Sequence, residues 1–579
     1  MCEAHGRTLH HAAIAVSDRA SAASHGRAGG ARPRAPAGAV GRRQVLDVPA
    51  DPVLGRLLVA GGSAGRCRCA DDGRWSTSAC TELARGAGRR YLRRAREAHM
   101  SSPKQLAICA IGAVCIAGAF ASLARADARP TDTYLDQTRE RWEKVAKQIW
   151  DTPELGLGEN RSSAALIDIL QKEGFQVTKG VGGEATAFVA TAVSGAPVIA
   201  LLAEYDALPG LSQAAGQSRK QAVTDGAPGH GCGHNLLGTA SVAAAIAANR
   251  ERVAKKLPGT IQLFGTPAEE ILFGKTFMIR GGAFKNTEAV LAWHPDDQNR
   301  VTNRTRLAVA AINVEFLGRS AHAAASPWLG RSALDALTLF DHAVALMREH
   351  IKPTARMHRA IRDGGMAPNI IPDHAMGEYW VRDVSVDSVN EMLERLRKAA
   401  DGAALGTETK ARVTLTFQTR EPVPNDVLNT VLQKELDRVG PPRFDDTDQR
   451  FAKAMQKELG FEEAGMASAV MPFAQKNGGT ASSDIGEVSA VVPLAELNTA
   501  TRPLGTAAHH WAQTACAAHP VGYKGMAVAA KVLAAGAVDL LADPAAVKAA
   551  REEFAVQTKG KPYVSPLPAD AKPVAPKTH

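Results

Sequence analysis

Residue types that ligate metals or move protons recur at five places in the chain. They are Glu204-Tyr205-Asp206, His230-Gly231-Cys232-Gly233-His234-Asn235, Pro267-Ala268-Glu269-Glu270, Trp293-His294-Pro295 and His509-His510-Trp511. Thiolate, imidazole and carboxylate are the usual zinc donors, and two ions ~3.5–4 Å apart can share one water. Such a pair acidifies the water and polarises a carbonyl. A carboxylate outside the donor set must then take the proton and pass it to the leaving nitrogen. The adjacent Glu269 and Glu270 can do both jobs if their side chains diverge. Each signal is weak alone, since a lone His is more often structural and paired Glu on a loop are usually solvated. Their joint placement at strand ends, beside glycines that permit close approach, carries the reading.

Those strand ends follow from hydropathy. Ala187–Val193, Val198–Ala203, Thr260–Gly265 and Ala289–Trp293 read as short apolar strands. Helical spacing predicts helices over Asp132–Trp150, Ser162–Lys172 and Leu236–Asn249, the last capped by Asn235, whose side chain can accept from free helix N–H groups. Alternation of this kind predicts an α/β fold with a layered α/β/α catalytic domain and a mixed sheet. Four of the five motifs follow or precede such elements, and in open α/β sheets the binding crevice lies beyond the carboxyl ends of strands.

Residues 304–418 read differently. Strands over Leu307–Leu317, Arg356–Arg362, Ala375–Arg382 and Lys410–Phe417 alternate with helices over Arg331–His350 and Val386–Ala400. That β-α-β-β-α-β order is the ferredoxin-like split unit, inserted into the larger domain. The expected organisation is therefore a catalytic domain in two parts, 129–303 and 419–561, an inserted α+β domain at 304–418, and a loose proline-rich tail at 562–579.

The N-terminal fifth has another character. The whole chain carries a net charge of +10, but residues 1–99 hold 17 Arg against 8 Asp and Glu, and no Phe. The stretch 129–579 is formally neutral, so nothing electrostatic argues for nucleic acid as a partner. Residues 1–99 show no sustained apolar period and are expected to be disordered or an over-extended reading frame. Met100, Lys104, the apolar run Leu106–Leu123 and the small-x-small patterns at Ala124-Arg125-Ala126 and Ala126-Asp127-Ala128 read as a signal peptide over 100–128. Its removal leaves no stable membrane anchor and predicts a periplasmic or secreted enzyme. Only Cys232 and Cys516 follow it, which is no disulfide framework.

The run from Ile199 through Arg382 resembles the M20 metallopeptidases, in the amidohydrolase branch that includes the aminobenzoyl-glutamate hydrolases. The match rests on AEYDALPGLSQ at 203–213, GHGCGHNLLGTA at 229–240, TPAEE at 266–270 and GKTFMIRGGAF at 274–284. It continues through AWHP at 292–295, SAHAAASPWLGRSALDA at 320–336, PNIIP at 368–372, SSDIGEVS at 482–489 and LGTAAHHW at 504–511. The resemblance implies two divalent ions, zinc or manganese, held by Cys232, His234, Glu270, His294 and His509, with Glu269 as general base. It implies that His322, on an inserted lid and dimerisation domain, reaches the partner protomer of a homodimer and stabilises the oxyanion. Asn369 is implied to bind substrate, and Arg382 is a candidate carboxylate clamp because guanidinium binds carboxylates bidentately. Glu204 and Asp206 stand where the wider family has a His-x-Asp pair, and are expected to orient the ligands from behind. His510 beside His509 offers a second candidate for the last ligand, and the resemblance favours His509. The implied activity is hydrolysis of the amide of an N-acyl or N-aroyl amino acid, with a dipeptidase or carboxypeptidase of the same family as the alternative. The implied cytosolic setting of that branch conflicts with the signal peptide.

Overall fold

A computed structural model describes residues 129–192, 195–301, 306–473 and 481–574. The expectations for 1–99 and for the signal segment 100–128 lie outside the described residues.

Among the described residues, eleven strands form two sheets. The first holds β1 (Gln176–Lys179), β2 (Phe188–Ala192), β3 (Val198–Ala203), β4 (Thr260–Gly265), β5 (Ala289–Asp296), β6 (Arg300–Val301) and β11 (Leu494–Ala500), in the order β1-β2-β4-β3-β5-β11-β6. β4, β3, β5 and β11 run parallel, and β1, β2 and β6 add antiparallel edges. The parallel centre reads as continuous apolar sequence because both faces are covered. Ile199, Leu201 and Ala203 face one core with the helices His234–Ala254, Asp426–Val439 and Pro520–Ala542. Ala200 and Leu202, pointing the other way, meet Met278 of the helix Gly274–Arg280 and Ile485 and Val488 of the helix Ile485–Ser489. The result is the α/β/α layering with a mixed sheet. The helix Pro520–Ala542 is long and apolar enough to cross a membrane, but most of its surface is buried in this core.

The second sheet is antiparallel, with β7 (Ala308–Leu317), β8 (Arg356–Asp363), β9 (His374–Asp383) and β10 (Lys410–Thr419) in the order β10-β7-β9-β8. The helices Ala333–Met347 and Val386–Thr407 cover one face through Leu337, Phe340, Leu393 and Leu396. Its chain order is β-α-β-β-α-β. On the opposite face Val309, Ala311 and Phe417 meet Leu272, which lies next to the Glu269-Glu270 turn.

Four details depart from the sequence reading. The helix over 132–150 breaks in two, Pro130–Gln137 and Arg139–Asp151. At the break the Thr138 hydroxyl donates back to the Tyr134 carbonyl and accepts from Trp142 Nε1. Asn235 is not a cap. Gly233 takes a left-handed conformation at φ 85° and starts the helix at His234, while the Asn235 amide donates to the carbonyls of Ala146 and Ala517. Strands β1, β6 and β11 have no counterpart in the reading. The described part of the C-terminal tail is pinned rather than loose: Arg280 donates to the carbonyls of Pro568 and Ala571, and Tyr563 to Glu487.

Two buried features mark the packing of this domain. Gly238 lies where a Cβ would stand 2.6 Å from the Glu204 carbonyl oxygen, so only glycine lets the helix His234–Ala254 approach β3. Glu184, in the turn after β1, is 1% exposed and neither carboxyl oxygen has a hydrogen-bond partner. Burial, then Asp484 and Glu159, push its pKa up to about 10 against a partial offset from Lys275. The folded state therefore holds a proton that the unfolded chain releases above its ordinary carboxyl pKa, and this group's contribution to stability falls as pH rises from about 5 towards 10. Glu184→Gln, which mimics the neutral acid, should gain stability over the parent progressively between pH 5 and 9 in denaturant melts. An equal difference at both pH values would contradict this.

Candidate metal centre

The parallel strands deliver the chemistry to one edge. Glu204 and Asp206 follow β3, Glu269 and Glu270 sit in a turn after β4, and His294 lies near the end of β5. Cys232 and His234 stand at the N-terminus of the helix His234–Ala254. His509 comes from the loop after β11, held by its backbone N–H to the Gly231 carbonyl. Three of the positive-φ residues without glycine's freedom cluster here: Ala268 at 60°, Leu272 at 59° and His509 at 57°. Strain of this kind persists where surrounding structure over-determines a functional loop.

The donor atoms converge. Cys232 Sγ is 3.3 Å from His294 Nε2, and His509 Nε2 is 3.2 Å from a Glu270 oxygen. The donor atoms of Cys232, His234 and His294 lie within 4.8 Å of one another, and so do those of Cys232, Glu270 and His509. Cys232 belongs to both trios, which is the arrangement a shared thiolate needs. Hydrogen bonds fix the tautomers. His234 Nδ1 donates to Asp206 at 2.8 Å and His294 Nδ1 to the Pro295 carbonyl at 2.8 Å, so each presents the Nε2 lone pair. The other Asp206 oxygen accepts from the Glu270 backbone N–H at 2.8 Å. Asp206 therefore orients two candidate ligands, one from each trio.

Charge makes the same case. Glu204, Asp206, Glu269 and Asp484 are buried together, and Lys275 among them is fully buried. Lys275 Nζ is 2.7 Å from Glu204 and 2.6 Å from Asp484. Burial alone would raise the Glu204 pKa, but the adjoining Lys275 ammonium brings it down to about 2. Burial, Glu204 and Asp484 raise Glu269 to about 8, and burial with Glu270 raises the Cys232 thiol to about 12. Lys275 by itself leaves this acid cluster under-compensated. Glu204 Oε2, His234 Nε2 and Glu270 Oε1 are buried without hydrogen-bond partners. Dry lone pairs aimed at a common space are costly unless something accepts them, and a pair of divalent cations fits that donor set.

The remaining sequence candidates lie elsewhere. His510 caps the helix Trp511–Cys516, accepting from the Ala512 N–H, so His509 is the residue against Glu270. His230 is buried against the Ile149 carbonyl. His322 and Asn369 occupy facing loops of the second sheet unit: Ala323 donates to the Asn369 carbonyl, and both residues are exposed. No described hydrogen bond or ion pair joins them to the Cys232 cluster. The N–H groups of Ala324 and Ala325 donate to His322 Nδ1, which leaves its Nε2–H facing outward. Arg382 projects from β9, stacks over Trp380 at 5.3 Å and donates to Ser482 Oγ at 2.9 Å, with no carboxylate partner among the described residues. Sequence reasoning assigned no role to Lys275, Ser482 or Asp484. The matching stretches contained them, but one lysine in an apolar helix carries no spacing signal.

The described geometry has relatives. Residues 200–566 match the model of peptidase family M20/M25/M40. The chain is 38% identical over 469 residues to one of the p-aminobenzoyl-glutamate hydrolase subunits of Escherichia coli (strain K12), covering 76% of this chain and 98% of that one. It is 31% identical over 437 residues to the Xaa-Arg dipeptidase of Mus musculus, covering 72% and 90%. The fold is shared with the crystal structure of an aminobenzoyl-glutamate utilization protein from Klebsiella pneumoniae, at TM-score 0.50 and 20% identity over 70% of this chain and 98% of that one. The breadth of these matches and the donor cluster they contain establish that the chain belongs to peptidase family M20/M25/M40, as a metallohydrolase of amide bonds.

Proposed function

We propose that the protein hydrolyses N-acyl amino acids, above all N-aroyl glutamates of the aminobenzoyl-glutamate type. The observation that carries the substrate class is Arg382, a half-buried guanidinium without an acidic partner, which suits the free carboxylate of an amino-acid leaving group. The 38% identity to a chain of p-aminobenzoyl-glutamate hydrolase supports the aroyl side. Two divalent ions, zinc or manganese, held by Cys232, His234, Glu270, His294 and His509, would polarise the scissile carbonyl and acidify the attacking water. Glu269 accepts the water proton as oxygen bonds to the carbonyl carbon, and returns it to the nitrogen as the C–N bond breaks. In a homodimer, His322 Nε2–H from the partner protomer hydrogen-bonds the tetrahedral oxyanion, and Asn369 assists binding.

The dipeptidase likeness favours a second reading, cleavage of dipeptides with the same carboxylate clamp. The relatives also include the other p-aminobenzoyl-glutamate hydrolase chain of Escherichia coli (strain K12), 29% identical over 248 residues, so assembly with a related second chain is the alternative to a homodimer. The signal segment at 100–128 supports export to the periplasm or medium.

Turnover of N-aroyl glutamates should exceed that of Xaa-Arg dipeptides, and Glu269→Gln should cut kcat by about 10²–10⁴-fold while retaining bound metal. Comparable kcat in that variant would remove Glu269 from its role. Arg382→Met should raise KM for carboxylate substrates and leave their carboxamide analogues unchanged; equal effects on both would argue for a structural arginine. N-terminal sequencing of the exported protein should find a start at Asp127 or Arg129, and retention of residues 1–99 would contradict the signal peptide.

A further inference from the structure

We propose that Glu204 is itself a ligand of the metal pair, its Oε2 sharing one ion with His234 Nε2, rather than an outer residue that orients ligands. The inference rests on the metal-centre reading above and changes its donor set.

Glu204 is 4% exposed. Its Oε1 is tied to Lys275 Nζ at 2.7 Å, and Lys275 is tied in turn to Asp484, by its ammonium at 2.6 Å and by its backbone N–H at 2.9 Å. The carboxylate is thereby held with its second oxygen pointing one way. That oxygen has no hydrogen-bond partner and lies 3.3 Å from His234 Nε2, which has none either. His234 has already committed its Nδ1–H to Asp206. Two acceptors thus face each other in a dry interior, a repulsive contact unless a metal ion or a proton lies between them. Two donors bound tetrahedrally at ~2.1 Å to one ion stand about 3.4 Å apart, close to the spacing seen. Glu269, the general base of the reading above, places an oxygen 4.0 Å from the same nitrogen, and the three side chains have atoms within 4.8 Å of one another.

By contrast, an orienting residue would hydrogen-bond the ligand's far nitrogen, as Asp206 does. Glu204 instead faces the coordinating nitrogen. One carboxylate oxygen on Lys275 and the other on the ion makes it a monodentate, charge-compensated ligand. A hard oxygen donor added to a thiolate and imidazole set moves preference towards manganese relative to zinc.

The test uses the full chain, stripped of metal and refilled with Co(II), with stoichiometry by elemental analysis and the visible d–d spectrum as readouts. The parent should bind two ions. Glu204→Gln should lose one of them against a chelator that leaves the parent filled, an affinity drop beyond the roughly 10–100-fold typical of outer-sphere partners. At saturating Co(II) its bands should shift. Glu204→Asp keeps the charge but shortens the reach, and should also shift the bands; it carries the test should the Gln variant fail to fold. Saturated spectra of both variants superimposing on the parent would overturn the proposal, and would mean that His234 Nε2 shares a proton with Glu204. A folded parent that binds no Co(II) would instead overturn the metal-centre reading itself.

Discussion

A dry crevice crowded with carboxylates is the feature around which the molecule is arranged. Glu204, Asp206, Glu269 and Asp484 are buried at the carboxyl edge of the parallel strands, and Lys275 is the one ammonium set between Glu204 and Asp484. Burying a charge without compensation costs far more than an ordinary hydrogen bond returns. Lys275 keeps Glu204 ionised, Asp206 aligns His234 and Glu270, and the donors left over require cations. Such a donor set suits divalent cations, because the protein alone leaves several of its buried donors unsatisfied. Local stability is given up where binding recovers it.

The segment 481–489 ties that crevice to the rest of the molecule. Ser482 receives Arg382 from the second sheet unit, and Asp484 holds Lys275. The Ser483 carbonyl accepts from Thr419, where β10 ends, and Glu487 accepts from the Arg420 backbone N–H and from Tyr563 of the C-terminal tail. Arg420 also stacks on Tyr563. Arg382, Lys275 of the buried acidic cluster, one connection between the two sheet units and the chain end thus meet on one short segment. The tail owes its order to these contacts, which its proline-rich composition does not disclose.

Much of this was legible in the residues. Val198–Ala203 and Thr260–Gly265 are strands at the bounds that hydropathy predicts, because a strand buried on both faces must be apolar throughout. Glycines around Cys232 and the adjacent Glu269-Glu270 pair marked where donors could approach closely. Less was visible where a side chain serves a distant partner. Asn235 looks like a cap by type and position, yet it staples two carbonyls, Ala146 and Ala517, that are far away in sequence. At the break, the Thr138 hydroxyl joins its own backbone N–H on the Tyr134 carbonyl.

The α/β class, the β-α-β-β-α-β order of 308–419, the set of candidate donors and the neutrality of the chain after residue 128 are all written in residue type and local period. Such properties need no partner to be read. Other features were settled only by contact in three dimensions. Cys232 stands in two donor trios, His509 and not His510 meets Glu270, and Glu204 Oε2 faces His234 Nε2. Each of these depends on strands and loops separated by tens to hundreds of residues arriving at one edge. Direction in space, unlike residue type, exists only once the chain has folded.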